Sequence, residues 1–563
     1  MAYRITNNSD MIVSRGFNRR RIRTGVLVTV STGFFAMTLL VALSTPDTSV
    51  PDAYSSSVQS ASFERAIRKT APEEDIILTL VDESYLDMTI NFHMTSIVSN
   101  NISNILYISL SQKVCDALRQ HFYNLHCYVL KNRGETDLSK TDTDYGTRQF
   151  KDKMIIRTMF ILAALDTGKN ILLTDVDLVY FKNPLTYFKC TDCDLEVMDD
   201  CASNKKYPNY CGGFLYIRQT HGARKVFNRI LKLQLQTNYD DQELLNKVLQ
   251  KELKDEVRYS ILDTTRFVCG LNYYENRKRF FADRKSCKSC VVAHNNWIVG
   301  KNAKVYRFRE LHQWDYDNYG YFSDPKRKYL VYKNVVTNDK VPDATAKPKS
   351  KYFQLDETVV KYEKQTLETA LEIAFILNRT LILPRFHCQS FECPFNALFH
   401  VKTFDQFFFE RYRESTFLDH RLVPENTKHY VASFRIDSTD SRCVSKKINS
   451  QASTVTPTDS GTVRIQEVLT WFSKVNHSVL HLDDLCGVHL SPGGAEYING
   501  YYKFKDELSK ALVFSNYRQY APDSSGILPI FGVIFICFGV VVVLMWFRTT
   551  KKYTFHSNKW VFT

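Results

Sequence analysis

The chain has 563 residues, 44% of them hydrophobic and 13% aromatic. That is enough apolar material for sizeable cores, which excludes a disordered chain, and too much length for one ordinary domain. The formal charge of +14 does not describe a nucleic-acid footprint, because nine of those charges come from the ends. Residues 1–24 carry Arg4, Arg15, Arg19, Arg20, Arg21 and Arg23 against Asp10, and residues 548–563 carry Arg548, Lys551, Lys552 and Lys559.

Residues 1–24 read as a cytosolic basic tail. Gly25 to Leu43 is an uncharged, largely apolar run of 19 residues; as a helix it would span about 28 Å, close to one bilayer core. It reads as a transmembrane signal anchor, the alternative being a cleaved signal peptide. Residues 44–73, rich in Ser, Thr, Pro and Ala, read as a flexible stem. A second apolar run fills 527–547 and reads as a second transmembrane helix, with a cytosolic basic tail at 548–563 behind it. Basic residues outside both runs place both termini in the cytosol and the intervening chain in the lumen, which fits a Golgi membrane or, as the alternative compartment, the endoplasmic reticulum.

Between the runs, strand and helix patterns alternate. Asp75 to Val81 reads as a buried strand, followed by a helix from Ser84 to Ser99 and a strand from Ile105 to Leu110. Val114 to Phe122 is helical, Cys127 to Leu130 a strand, Lys153 to Leu165 a strongly apolar helix, and Asn170 to Thr174 a fourth strand. This alternation predicts an α/β fold with a mostly parallel sheet and ligands at the carboxyl ends of the strands. The first domain covers 74–323. The polar stretch 324–351, with Pro325, Pro342 and Pro348, reads as a linker. A smaller α/β domain then occupies 352–522, with a helix over Leu367 to Leu377, a strand over Thr380 to Leu383, helices over 405–412 and 465–474, and a strand over 479–483.

Thirteen of the fourteen cysteines lie between the apolar runs. An oxidising lumen favours disulfides, and an odd number leaves at least one thiol free or paired with another chain. Cys190/Cys193 and Cys287/Cys290 form two CxxC pairs that read as disulfides, with a zinc site as the alternative. Sequons stand at Asn101, Asn378 and Asn476.

The sharpest chemical signal is Asp175-Val176-Asp177 after the strand Leu172-Leu173-Thr174. Two carboxylates at a strand end can share one ligand site, and hard oxygen ligands suit Mn²⁺ or Mg²⁺, which bind phosphates. A metal on a diphosphate neutralises the leaving group, the main demand of sugar transfer from a nucleotide. The bland reading of two nearby acids is a solvated turn. A second chemical reading is the nucleophile motif of haloacid-dehalogenase-type phosphatases, with Asp175 as nucleophile and Asp177 as acid/base. That motif opens its domain on the first strand, whereas about 100 residues of βα structure come first here, at one or two domains per few hundred residues.

Ordered short motifs extend the pattern from Asp75 to Trp314. They are Thr79 to Met88, Lys153, Thr174 to Pro184, Tyr210-Cys-Gly-Gly-Phe-Leu-Tyr216, Asp240-Asp-Gln-Glu-Leu-Leu-Asn246, and His294-Asn-Asn-Trp-Ile-Val-Gly-Lys301 with Trp314. Together they resemble the nucleotide-diphospho-sugar transferase domain of glycosyltransferase family 77, which has a GT-A fold. The resemblance implies a metal-dependent, retaining transferase that takes a UDP-sugar donor and modifies a glycoprotein or polysaccharide. It also implies roles. Asp177 and His294 would ligate the metal, and Asp175 would contact the donor ribose and the metal. Thr79 and Tyr85 would stand near the base, and Lys153 belongs to the donor-binding set. Lys301 or Lys304 would meet the diphosphate. Gly212 and Gly213 would let the backbone approach the sugar. Asp240, Asp241 and Gln242 would line the sugar pocket as the candidate catalytic residues, a covalent route through Asp241 being one option.

Each assignment has a plainer reading: a structural His294, an Asp240 helix cap, a turn at Gly212-Gly213, a solvated Lys153, and Trp297 and Trp314 as core. Leu367 to Pro384 is similar to a helix–strand element of fucosyltransferase-like domains and is assigned to acceptor binding or stabilisation. The remaining alternative for the whole chain is a non-catalytic lumenal module.

Overall fold

The structure is a computed structural model. It describes residues 61–514 apart from 74, 131–146, 202–208, 276–286, 299, 334–356, 389–390, 430, 437–451, 459–461, 484 and 486. The two apolar runs and both basic tails lie outside the described residues, and no described helix is long and apolar enough to cross a membrane.

The first domain is built on a seven-stranded sheet. In chain order the strands are β1 (Ile76–Val81), β2 (Ile105–Ser109), β3 (His126–Val129), β4 (Ile171–Thr174), β5 (Leu178–Tyr180), β6 (Leu195–Asp199), β7 (Tyr210–Ile217) and β8 (Tyr259–Ile261), and β5 alone belongs to another sheet. The spatial order is β3-β2-β1-β4-β7-β6-β8. Strands β3, β2, β1 and β4 are parallel, β7 runs antiparallel to β4 and β6, and β8 is parallel to β6. The sheet is thus mostly parallel, as expected, with β7 inserted antiparallel between β4 and β6.

Successive residues of these strands serve two cores, as a pleat of period two requires. Ile76 and Leu78 of β1 join Leu106, Ile108, Ile171 and Leu173 on the face covered by the helices Arg148–Leu165 and His221–Gln236. Ile77, Tyr107 and Leu172 point to the opposite core. Both faces being covered explains why the central strands are continuous apolar runs. A small second layer, β5 with β9 (Phe267–Val268) and β10 (Val292–His294) in the order β5-β10-β9, packs in that opposite core.

Two boundaries differ from expectation. The end of the expected stem is a helix, Ala61–Thr70, whose Phe63 and Ile67 are buried; their four-residue spacing puts them on one face, and Phe63 meets Tyr128 edge-on at 5.1 Å. Inside the expected linker lies the strand β11 (Tyr329–Tyr332). Its polar neighbours hide a run of only four residues that is central to the second sheet.

That sheet adds β12 (Thr380–Ile382), β15 (Tyr412–Arg413), β16 (Val431–Ile436), β17 (Ser453–Val455) and β19 (Val479–Leu482) in the order β15-β12-β11-β19-β16-β17. Its five pairings are all parallel. Two short ribbons, β13 (Phe386–Cys388) with β14 (Phe391–Cys393) and β18 (Thr462–Arg464) with β20 (His489–Ser491), flank it. The Glu357–Ile376 helix leads into β12 through exposed Asn378, whose φ of 49° is a left-handed helix stop. Arg379 then donates to the carbonyls of Tyr329, Val475 and His477, stitching β11 and the approach to β19.

Leu78 is fully buried at the middle of β1. Leu78→Ala should therefore destabilise the chain by about 2–5 kcal/mol through lost transfer energy and a residual cavity, read as a lower denaturant midpoint with an unchanged slope.

Candidate active site

The carboxyl end of β4 is where the two sheets of the first domain meet. The Asp175 amide donates to the Gly213 carbonyl at 2.8 Å, continuing the β4–β7 ladder. The Asp177 carbonyl accepts from the Asn295 amide at 2.8 Å, continuing the ladder between β5 and β10. Buried Val176 anchors the turn between them. Asp175 is thus fixed to one sheet and Asp177 to the other, and register sets His294 opposite Leu178, next to Asp177.

One ligand atom each from Asp175, Asp177 and His294 lie within 4.8 Å of one another. Asp177 is buried; its Oδ1 faces His294 Nε2 at 3.2 Å and its Oδ2 accepts from Lys304 Nζ at 2.6 Å. Burial opposes this charge, but Lys304 and His294 hold the carboxyl well below the usual carboxylate range. His294 Nδ1 faces the buried thiol of Cys211 at 3.2 Å. Burial works against a charged imidazole, while Cys211 and Asp177 raise it above its ordinary value. Two carboxylates and an imidazole fit Mn²⁺ or Mg²⁺ as a donor set, and a cation bound there would take the place of the Lys304 contact and of a proton on the imidazole.

Gly213 makes this closeness feasible, since a Cβ there would stand 2.9 Å from His294 Cε1 and closer still to the Asp175 carboxylate. At Gly212 a Cβ would lie 3.2 Å from Gln242 Cβ, and the Gly212 amide donates to Gln242 Oε1 at 2.9 Å. Asp240 caps the Asp241–Lys247 helix in a full capping box with Glu243, so the plainer reading of that residue holds. Asp241 is ion-paired with Arg157, whose other nitrogen donates to Asp175 Oδ1 at 2.9 Å. Gln242 Nε2 donates to Asp200 Oδ2 at 3.0 Å.

The remaining expected residues separate into two groups. Lys153 Nζ donates to Asp82 Oδ2 at 2.7 Å, and Asp82 Oδ1 accepts from the Tyr85 amide at 3.2 Å, so Lys153 holds the turn carrying Tyr85. Both lysines of the Lys301–Glu310 helix reach the site region, Lys304 at Asp177 and Lys301 at Asp87 Oδ1, 2.8 Å away. Thr79 is fully buried within β1, and its hydroxyl has no partner among the described residues. Trp314 is core, and half-buried Trp297 donates to Asp200 Oδ1 at 3.2 Å.

Three participants escaped sequence reading. Arg157 follows Lys153 by one helical turn on an otherwise apolar helix, and that spacing is its one signal. Asp200 accepts from Asn209, Gln242, Asn296 and Trp297, and burial still pushes its carboxyl up to about 6; no local pattern marks it. Cys211 looked like any cysteine. The CxxC pairs are disulfides, Cys190–Cys193 and Cys287–Cys290, joined by Cys115–Cys127 and Cys201–Cys269. Both pairs being oxidised removes the zinc alternative, and Cys211 is the free thiol among the described residues.

Residues 100–308 match the family model of nucleotide-diphospho-sugar transferases. The chain is 27% identical over 202 residues to a UDP-D-xylose:L-fucose alpha-1,3-D-xylosyltransferase of Arabidopsis thaliana, covering 32% of this chain and 54% of that one. It is 22% identical over 408 residues to an arabinosyltransferase of the same plant, covering 63% of this chain and 60% of that one. A UDP-galactose:fucoside alpha-3-galactosyltransferase of Dictyostelium discoideum is 25% identical over 203 residues, 31% of this chain and 30% of that one. The chain thus spans between about a third and three fifths of the length of these curated relatives. The resemblance read from the ordered motifs holds across the segment that contains Asp175, Asp177 and His294.

Gly213→Ala should leave the fold cooperative but displace Asp175 or His294. Mn²⁺ affinity, read by calorimetry, should fall at least about tenfold, the scale of losses from disturbed metal-site support. Because a metal must displace a proton from His294, Mn²⁺ affinity in the native chain should also rise with pH until that imidazole is neutral.

Proposed function

We propose that the chain is a metal-dependent glycosyltransferase that takes a UDP-sugar and transfers the sugar to a glycoprotein or polysaccharide. The observation that carries this reading is the convergence of Asp175, Asp177 and His294, with Lys304, at the carboxyl end of β4. The relatives' names agree: the three described above act with xylose, arabinose or galactose, and two of those names specify UDP donors.

In this reading Asp175, Asp177 and His294 would hold a Mn²⁺ or Mg²⁺ ion, which would supply charge neutralisation on the departing diphosphate. Lys304, freed from Asp177, and Lys301 supply ammonium groups to the same diphosphate oxygens. Tyr85, on the turn fixed by Lys153 and Asp82, lies beside the base. Gly212 and Gly213 let the sugar approach the backbone, and the Arg157–Asp241 pair with Gln242 orients its hydroxyls. Retention of the anomeric configuration follows if the acceptor attacks on the leaving-group face, where a donor phosphate oxygen serves as base. Asp241 is paired with Arg157, which favours orientation over covalent attack.

The phosphatase reading is weaker. Asp175 follows the fourth strand of its sheet in chain order, not the first, and its Oδ1 is bonded to Arg157. A scaffold has no need of the buried Asp177–Lys304–His294 cluster, whose assembly desolvates three polar groups. Placement in the Golgi membrane, or that of the endoplasmic reticulum, with a lumenal catalytic domain is part of the proposal. The four disulfides support it, as do the exposed sequon residues Asn101, Asn378 and Asn476.

The test is a screen of UDP-sugars for Mn²⁺-dependent donor hydrolysis by the full chain. One donor should be consumed with Mn²⁺ and spared with chelator, and Asp177→Ala should lower the rate by about a hundredfold or more, the scale of losing one electrostatic stabiliser. A folded chain that ignores every UDP-sugar but cleaves phosphate esters through Asp175 would replace this reading with the phosphatase.

A further inference from the structure

The helix Lys301–Glu310 belongs to both domains at once. Its first turn carries Lys301 and Lys304, which contact Asp87 and Asp177. Its middle is divided between two cores: Val305 and Phe308 are buried in the one that holds Ile77, Trp314 and, from the second sheet, Tyr329 and Val479, while Ala303 and Tyr306 are buried in the one that holds Leu371 and Leu480. Each pair is spaced by three residues and so shares a helix face, and the two pairs are offset by two residues onto different sides, so this helix is a wall shared by both cores.

Its last turn is held by the second domain through buried polar contacts. Glu310 Oε1 accepts from Ser415 Oγ at 2.8 Å, and the Glu310 carbonyl accepts from Thr416 Oγ1 at 2.9 Å. That carbonyl is one of the four that a helix leaves without an internal partner, so Thr416 caps the helix. The Arg309 guanidinium lies 3.6 Å from the Tyr321 ring centroid and 4.0 Å from Glu414, while the Tyr321 hydroxyl donates to Glu414 at 2.8 Å. Further up, the Phe395 amide donates to the Tyr306 hydroxyl at 3.3 Å. Glu310, Glu414 and Arg413 are each no more than 3% exposed. At this depth an unmade hydrogen bond costs about 1–3 kcal/mol, so the contacts select one axial position and one rotation of the helix.

We propose that the second domain, through Ser415 and Thr416 on Glu310, positions the Lys301–Glu310 helix and so sets where Lys304 stands at the diphosphate site. This role rests on the donor-binding reading of Lys304 given above. A helix is rigid over these two turns and rises about 1.5 Å per residue. Slippage at Glu310 by part of a residue shifts the Lys304 backbone by about 1 Å relative to an anion held at the Asp175–Asp177–His294 cation site and so lengthens that contact. Through their hydroxyls Ser415 and Thr416 contact Glu310, not Lys304, Asp175 or Asp177; they are positioning residues.

The experiment uses the full chain and the double variant Ser415→Ala/Thr416→Val, alone and combined with Lys304→Ala. Two readouts are taken: UDP affinity in saturating Mn²⁺ by calorimetry, and amide hydrogen exchange over residues 301–308. Thermal unfolding serves as the fold control. The expected result is a several-fold to tenfold weaker UDP affinity in the double variant and faster exchange over 301–308. In the Lys304→Ala background the double substitution should weaken UDP binding no further, because its effect acts through that lysine. Equal losses in both backgrounds, or unchanged exchange over 301–308, would overturn the inference. If the native chain binds no UDP, the donor-binding reading fails and this one with it as far as Lys304 is concerned, while the exchange result still decides whether the second domain holds the helix. If the double variant does not fold, Ser415→Ala alone is measured in both backgrounds against the same criteria.

Discussion

The Asp177 carboxylate, held between the Lys304 ammonium and the His294 imidazole, ties together three segments far apart in the chain. Its charge survives burial only because both partners are present; an unpaired carboxylate at that depth would take up a proton instead. Each partner in turn depends on a larger element. His294 stands at the end of β10, where pairing with β5 fixes its register. Lys304 stands on a helix wedged between two cores. The acidic pair therefore needs more than the strand it ends: it needs both sheets of the first domain and the helix shared with the second.

The same arrangement explains the polar cost of the site. Arg157 and Asp200 are buried beside it and Asp241 is half-buried, and each is compensated: Arg157 by two carboxylates, Asp241 by Arg157, Asp200 by four N–H donors. Removing one member of such a network leaves its partner desolvated and unpaired, which costs more than the pair itself contributes. Gly212 and Gly213 are part of this compensation, since backbone without a side chain is what lets the carboxylates, the guanidinium and the imidazole approach one strand. Cys211, between Asn209 and the glycines, keeps His294 from losing its Nδ1 contact in an otherwise dry core.

Much of the frame was legible in the sequence, and for definite reasons. Strands β1, β2 and β4 are apolar on both faces, and the acid pair ends β4, so periodicity and a short motif sufficed. The order of short motifs reached Gly212, Gly213, Asp241, Gln242 and His294. What was hidden lay in partners set by tertiary structure. Arg157 reads as one more helix residue until Asp175 and Asp241 close on it, and Asp200 reads as a loop acid until four donors surround it. Strand β11 was concealed by prolines and charges on either side, and the Phe63–Ile67 face by the Ser-rich residues before it. The choice between Lys301 and Lys304 depended on where Asp87 and Asp177 stand, which spacing along one helix cannot supply.

The central claim, that Asp175, Asp177 and His294 form one cation site on which a nucleotide diphosphate binds, is most directly tested by titrating Mn²⁺ into the full chain with and without UDP. Electron paramagnetic resonance of free Mn²⁺ reports the site. The account predicts one Mn²⁺ per chain, tighter binding in the presence of UDP, and loss of both in Asp177→Asn with thermal unfolding still cooperative. Undiminished Mn²⁺ binding in that variant, or UDP binding indifferent to metal, would contradict it.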